Sequence, residues 1–161
     1  MASRNLAELL RCLVRGKVDF ILVGGMAGVM RGAPVVTADV DVVHRREPDN
    51  VQRFLQVLGE LQAVYRHDDR RLRPTESHLM GPGHQLLSTN LGPLDALGAI
   101  GGETYAELVR HSSTMDIGEG LAMLVLELPK LIELKRRAGR PKDLAVMPVL
   151  EATLDLTRKR D

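Results

Sequence analysis

Asp39 and Asp41 lie two residues apart in the run Val35-Val36-Thr37-Ala38-Asp39-Val40-Asp41-Val42-Val43. Its β-branched content predicts a strand, and strand alternation would put both carboxylates on one face, with Cα atoms roughly 6.5–7 Å apart. Ala38, Val40, Val42 and Val43 would bury that strand. Two carboxylates among apolar neighbours repel each other and are costly to desolvate, and a bound divalent cation removes that cost. Oxygen-only ligands suit Mg²⁺ or Mn²⁺. Asp95, a lone acid in Leu94-Asp95-Ala96-Leu97, is the expected third ligand. Three carboxylates on neighbouring strands can hold two metals ~3.5–4 Å apart, an arrangement suited to phosphoryl transfer.

Gly24-Gly25 would supply the other half of such a site. Without Cβ atoms they let backbone N–H groups approach a triphosphate, and the helix expected after them offers its positive end. One short helix and a turn fit between Gly25 and Val36, returning the acidic strand beside the glycines. Plainer readings stand beside these. The two glycines also suit a tight strand-to-helix turn, Asp39 and Asp41 an exposed edge strand, and Asp95 a turn after Gly92-Pro93.

Other motifs are excluded or uninformative. A dinucleotide fingerprint needs Gly-x-Gly-x-x-Gly, and Val23 occupies the position of its first glycine. The Gly16-Lys17 pair is followed by Val18, which rules out a Walker A loop. His44, His67, His78, His84 and His111 show no metal-ligand spacing and are expected on the surface or in loops. Lys135, Arg136, Arg137, Arg140 and Lys142 read at face value as a solvated helix end that complements the helix dipole.

The elements that must position these residues follow from apolar spacing. A helix is expected over Leu6 to Val14 with Asn5 as its cap, ending at Gly16. Phe20 to Val23 reads as a buried strand, followed by a helical turn or two from Met26 to Arg31, stopped by Gly32 and Pro34. A helix is expected from Asp49 through Leu61, and the charge-dense segment from Tyr65 to Pro74 as a loop or ragged edge strand. His84 to Thr89 and Gly92 to Leu97 form an expected hairpin turned at Asn90 to Pro93. A short helix near Tyr105 to Val109 and a polar stretch precede an expected strand at Leu121 to Leu126. Pro129 suits a first helical turn and Gly139 a helix end. Pro141 opens a last helix to about Arg158, with a break or kink at Pro148. The pattern is α/β or α+β. The expectation is a single domain over residues 1–161, with a core over about 18–128 and C-terminal helices over about 129–158.

Composition narrows the setting. The chain has 161 residues, 44% hydrophobic and 27% charged, so it is neither disordered nor collagen-like. With 22 basic and 21 acidic residues its formal net charge is +1, which argues against coating nucleic acid by bulk charge. The single cysteine, Cys12, excludes an internal disulfide framework. Only Phe20, Phe54, Tyr65 and Tyr105 are aromatic, too few for a base-stacking platform. The longest apolar or glycine run, Phe20 to Met30, is about half the ~20 residues a membrane span needs. Arg4, Glu8, Arg11 and Arg15 interrupt the N-terminal segment, so no leader is expected. The expected compartment is the cytoplasm, with no membrane partner.

At Val23-Gly24-Gly25 and Thr37-Ala38-Asp39-Val40-Asp41-Val42 the sequence resembles the DNA polymerase β-like nucleotidyltransferase superfamily. Within it, the chain is most similar to minimal nucleotidyltransferases of toxin–antitoxin and abortive-infection systems. Leu131-Ile132-Glu133-Leu134-Lys135-Arg136-Arg137-Ala138-Gly139-Arg140-Pro141-Lys142-Asp143-Leu144 is similar to a helix-then-Lys/Arg/Asp segment of that subgroup. The resemblance implies a small mixed β-sheet flanked by helices, an NTP substrate such as ATP, and transfer of a nucleoside monophosphate to a hydroxyl. It implies Asp39, Asp41 and Asp95 as catalytic metal ligands, with Asp95 also activating the acceptor. It further implies that Gly24, Gly25, Thr37 and Lys135 meet the nucleotide, with Arg140, Lys142 and Asp143 lining the same cleft. The acceptor would be a tRNA 3′ end, a protein Tyr or Ser, or a small molecule, with a cognate toxin or antitoxin as partner. Two departures stand out: the superfamily often has Gly-Ser where Gly24-Gly25 stands, and the subgroup often has another Asp where this chain has Val146. Two other classes compete. One is a catalytically degenerate module that neutralises a toxin or antitoxin partner, expected if Asp95 points away from Asp39 and Asp41. The other is an RNA-binding protein using Lys135 to Lys142.

Overall fold

The computed structural model describes residues 4–160. Helix α1 (Leu6–Arg15) opens on Asn5, whose side chain accepts a hydrogen bond from the Glu8 N–H at 3.1 Å. Burying Leu9, Leu10 and Leu13 on one face gives this helix its place against the core. Strand β1 (Phe20–Val23) is buried on both faces, as a continuous apolar run requires. It passes directly into α2 (Gly24–Met30), then by an extended segment to β2 (Val40–His44).

Seven strands form one mixed sheet. After α3 (Pro48–Glu60) come the two-residue β3 (Val64–Tyr65), the short α4 (Glu76–Met80) and the hairpin of β4 (His84–Thr89) and β5 (Gly92–Leu97). Helix α5 (Tyr105–Leu108) leads to the antiparallel pair β6 (Ser112–Asp116) and β7 (Ala122–Leu126). The sheet order is β3-β4-β5-β2-β1-β7-β6. The central strands β1 and β2 are antiparallel, and each has a parallel outer neighbour, β7 and β5 respectively. Helices α6 (Leu128–Ala138) and α7 (Pro141–Arg160) pack on each other, and α6 also packs on α2. Gly139 ends α6 in the left-handed conformation at φ 64°, the conformation glycine adopts without penalty. The fold is therefore a mixed sheet with flanking helices, as the resemblance implies.

Several sequence expectations change. The strand expected from Val35 begins at Val40, so Asp39 sits just before it, and Ala38 and Val36 are exposed. The reason is pairing. Val23 partners Asp41, and β1 then ends in the Gly24 turn, so residues before Val40 find no ladder there. The polar stretch after α5 holds β6, an edge strand whose exposed alternate positions hide its period. Helix α4, capped by Thr75, lies just beyond the charge-dense Tyr65 to Pro74 segment, where no element is expected from the sequence. Helix α7 runs unbroken through Pro148. His44 belongs to the core rather than the surface: its Nε2 lies 2.7 Å from the Leu79 carbonyl and its ring meets Phe54 edge-on. Among the described residues no helix is long and apolar enough to cross a membrane.

Candidate active site

Parallel pairing of β2 with β5 sets Asp41 directly opposite Asp95. Adjacent strands lie about 4.8 Å apart, so same-face side chains at paired positions touch. Asp39, from the extended segment before β2, joins them: carboxylate oxygens of all three lie within 4.8 Å of one another. The Asp41 Oδ1 atom is buried without a hydrogen-bond partner. Burial, then the neighbouring Asp95 and Asp39 carboxylates, push the Asp41 carboxyl up to about 7 against the pull of Lys135. A buried, unpartnered oxygen among convergent carboxylates is what a hard cation relieves. The residues present therefore fit Mg²⁺ or Mn²⁺.

The turn from β1 into α2 is shaped to this cluster. Gly24 has φ 68°, and a Cβ there would lie 2.2 Å from Asp41 Oδ2. Only glycine combines that backbone conformation with that approach. A Cβ on Gly25 would lie 3.0 Å from Thr37 Oγ1, whose hydroxyl donates to the Asp39 carbonyl at 3.2 Å. Thr37 thus braces the segment presenting Asp39.

Gly24, Gly25, Thr37, Asp39 and Asp41 form one wall of a cleft of about 310 Å³, and Lys135 of α6, Arg140 of the α6–α7 connection, and Lys142 and Asp143 of α7 line it from the other side. The volume is at the lower end for small-molecule sites. Asp143 is 1% exposed and organises the basic wall. Arg140 donates to it through Nε at 2.6 Å and Nη2 at 3.1 Å, and Lys135 Nζ approaches it at 3.5 Å. Burial works to raise the Asp143 pKa, yet its hydrogen bonds and charge contacts with Arg140 and Lys135 win and hold it below the usual value. The carboxylate fixes the direction of two cations, leaving the wall net positive.

Two expectations separate here. Arg136 pairs with Glu151, and Arg137 with Glu103 and Glu133, so these two are a structured helix surface outside the cleft. Arg66, which the sequence did not single out, enters the cluster from the residue after β3. Its Nη2 donates to Asp95 Oδ1 at 2.6 Å and lies 3.9 Å from Asp39 Oδ2. Arg66 lies in a stretch dense in charge, and only sheet pairing reveals which of its arginines points inward.

No known family profile matches the sequence, and no curated protein does. Solved structures share the fold. A candidate nucleotidyltransferase (TM1012) from Thermotoga maritima superposes with TM-score 0.57 and 14% identity, over 89% of this chain and 88% of that one. ANT(2")-Ia, solved in complex with adenylyl-2"-tobramycin, superposes with TM-score 0.55 and 14% identity, over 96% of this chain and 95% of that one. At this identity the likeness establishes a common fold.

Proposed function

We propose that this chain is a metal-dependent nucleotidyltransferase, moving a nucleoside monophosphate from an NTP to a hydroxyl acceptor. The observation that carries the reading is the convergence of Asp39, Asp41 and Asp95 beside a cleft whose other wall is basic. The two structural neighbours support it by their descriptions, and the second holds what is by its name an adenylated small molecule.

In this reading the acceptor oxygen attacks the α-phosphorus, the bond to pyrophosphate breaks, and the hydroxyl proton leaves to a carboxylate, for which Asp95 is the candidate. Mg²⁺ or Mn²⁺ held by Asp39, Asp41 and Asp95 would neutralise charge developing on the phosphates. Gly24 and Gly25 present bare backbone to the substrate, and Thr37 holds the Asp39 segment in place. Lys135, Arg140 and Lys142 face the triphosphate across the cleft, with Asp143 holding the first two in position. Bond making and breaking take place between acceptor and substrate, which leaves the protein mainly positioning and charge stabilisation to perform, and these residues suit that.

An interaction module without catalysis was the competing reading, expected if Asp95 turned away. The meeting of Asp95 with Asp41 and Asp39 favours catalysis. The motif resemblance supports the finer placement in a toxin–antitoxin or abortive-infection system, with a tRNA end, a protein side chain or a small molecule as acceptor. Titration calorimetry of NTP in Mg²⁺ tests the reading: wild type binds with measurable heat and Asp39→Ala/Asp41→Ala does not. Equal heats from both proteins contradict it.

A further inference from the structure

Arg66 is attached to the site at two points of different kinds. Its N–H donates to the Leu86 carbonyl at 2.8 Å and its Nη1 to the Leu87 carbonyl at 2.6 Å, both on β4. The main chain of Arg66 and one arm of its guanidinium are therefore held by the sheet through contacts that do not involve the carboxylates. The other arm, Nη2, donates to Asp95 at 2.6 Å and faces Asp39 at 3.9 Å, and the side chain is only 19% exposed. A planar, permanently charged fork held on backbone places its second charge-assisted bond reproducibly.

That position conflicts with the role of the carboxylates. Nη2 occupies a lone pair of Asp95 and lies near Asp39, two of the three groups expected to ligate the cation. Asp41 has no hydrogen bond from Arg66, and its Oδ1 remains without a partner. The arginine thus neutralises the Asp95 side of the cluster and leaves the Asp41 side open.

We propose that Arg66 is a built-in counter-cation that competes with the divalent ion for Asp95, so that full ligation requires Nη2 to leave that carboxylate. This inference rests on the nucleotidyl-transfer reading of the same site. Arg66 is a positioning residue here: it sets when Asp95 is available, and the Leu87 anchor keeps it ready to return. A fixed positive charge on one of the carboxylates should hold down affinity for free metal until a bound triphosphate adds negative charge.

The test is Mn²⁺ binding followed by the electron paramagnetic resonance of free Mn²⁺, without nucleotide or turnover. Arg66→Gln removes the charge while keeping a polar amide at this position, and should tighten Mn²⁺ binding about tenfold, because a like charge leaves the site. Arg66→Lys keeps the charge without the fork and should fall between wild type and Arg66→Gln; it also serves if the glutamine variant does not fold. In an Asp95→Asn background, Arg66→Gln should change affinity far less. Unchanged or weakened binding in Arg66→Gln, with a wild-type melting curve, overturns the proposal and makes Arg66 a strap for the sheet edge. Mn²⁺ binding that Asp39→Ala/Asp41→Ala leaves intact overturns the nucleotidyl-transfer reading itself, and this inference with it.

Discussion

Asp41 and Asp95 are register partners across the parallel β2–β5 pair, and Arg66 hydrogen-bonds Asp95 but not Asp41. The asymmetry leaves Asp41 as the strained member, half-buried, facing two like charges and holding a buried oxygen with no donor. Stability has been given up at the point where a ligand is expected to restore it.

The first prediction follows from the sign of that strain. With its pKa raised from 3.8 to about 7, the folded metal-free protein binds the Asp41 proton more tightly than the unfolded chain does. Its stability therefore falls as pH rises through that window and levels off above it. Asp41→Asn should flatten this slope and, without metal at pH 8, melt about 2–4 °C above wild type, corresponding to about 1 kcal/mol. Mg²⁺ should then raise the melting temperature of wild type but not of the variant. Thermal melts at pH 5 and pH 8, with and without Mg²⁺, check both statements.

Gly24 makes a second, local test. Gly24→Ala would force a side chain into a positive-φ position and place its Cβ 2.2 Å from Asp41 Oδ2. The expected cost is about 1–3 kcal/mol of stability together with weakened Mn²⁺ binding, because Asp41 must move. Gly28→Ala is the control: its Cβ would meet Leu150 at 3.4 Å, an ordinary contact, within a helix that favours alanine. Denaturant melts should separate the two variants clearly.

Asp143 is predicted to act on nucleotide binding rather than on chemistry. Asp143→Ala removes the acceptor that holds Arg140 and Lys135, at a cost of about 1–3 kcal/mol from charged hydrogen bonds lost inside the fold. KM for the NTP should rise several-fold while kcat changes less, since the acidic triad is untouched. A kcat loss as deep as that of Asp41→Asn, with KM unchanged, would contradict this role.

Much of this candidate site is legible in the sequence, for identifiable reasons. Asp39, Asp41 and the two glycines lie close in sequence, where strand alternation and turn chemistry act locally. Asp95 required only that the Gly92–Leu97 segment be a strand, and its hairpin with His84–Thr89 signalled that. Arg66 was hidden because its role depends on the pairing of β3 with β4 and of β4 with β5, and nothing in a run of arginines distinguishes one from the next. The strand expected from Val35 failed in the opposite way. Intrinsic β preference was present at Val35, Val36 and Thr37, but strand pairing starts only at Val40 with β5 and at Asp41 with β1. His44 showed the limit of reasoning from residue type, since its burial is set by the Leu79 carbonyl and Phe54.

Transfer of label from α-³²P-labelled NTP into total RNA, total protein or small hydroxylated acceptors, with pyrophosphate release measured in parallel, tests the central claim most directly. The account predicts divalent-dependent labelling of one acceptor class by wild type, stoichiometric with pyrophosphate, and its loss in Asp39→Ala/Asp41→Ala. Labelling that survives in the double variant, or NTP binding in Mg²⁺ with neither label transfer nor pyrophosphate from any acceptor class, would contradict it.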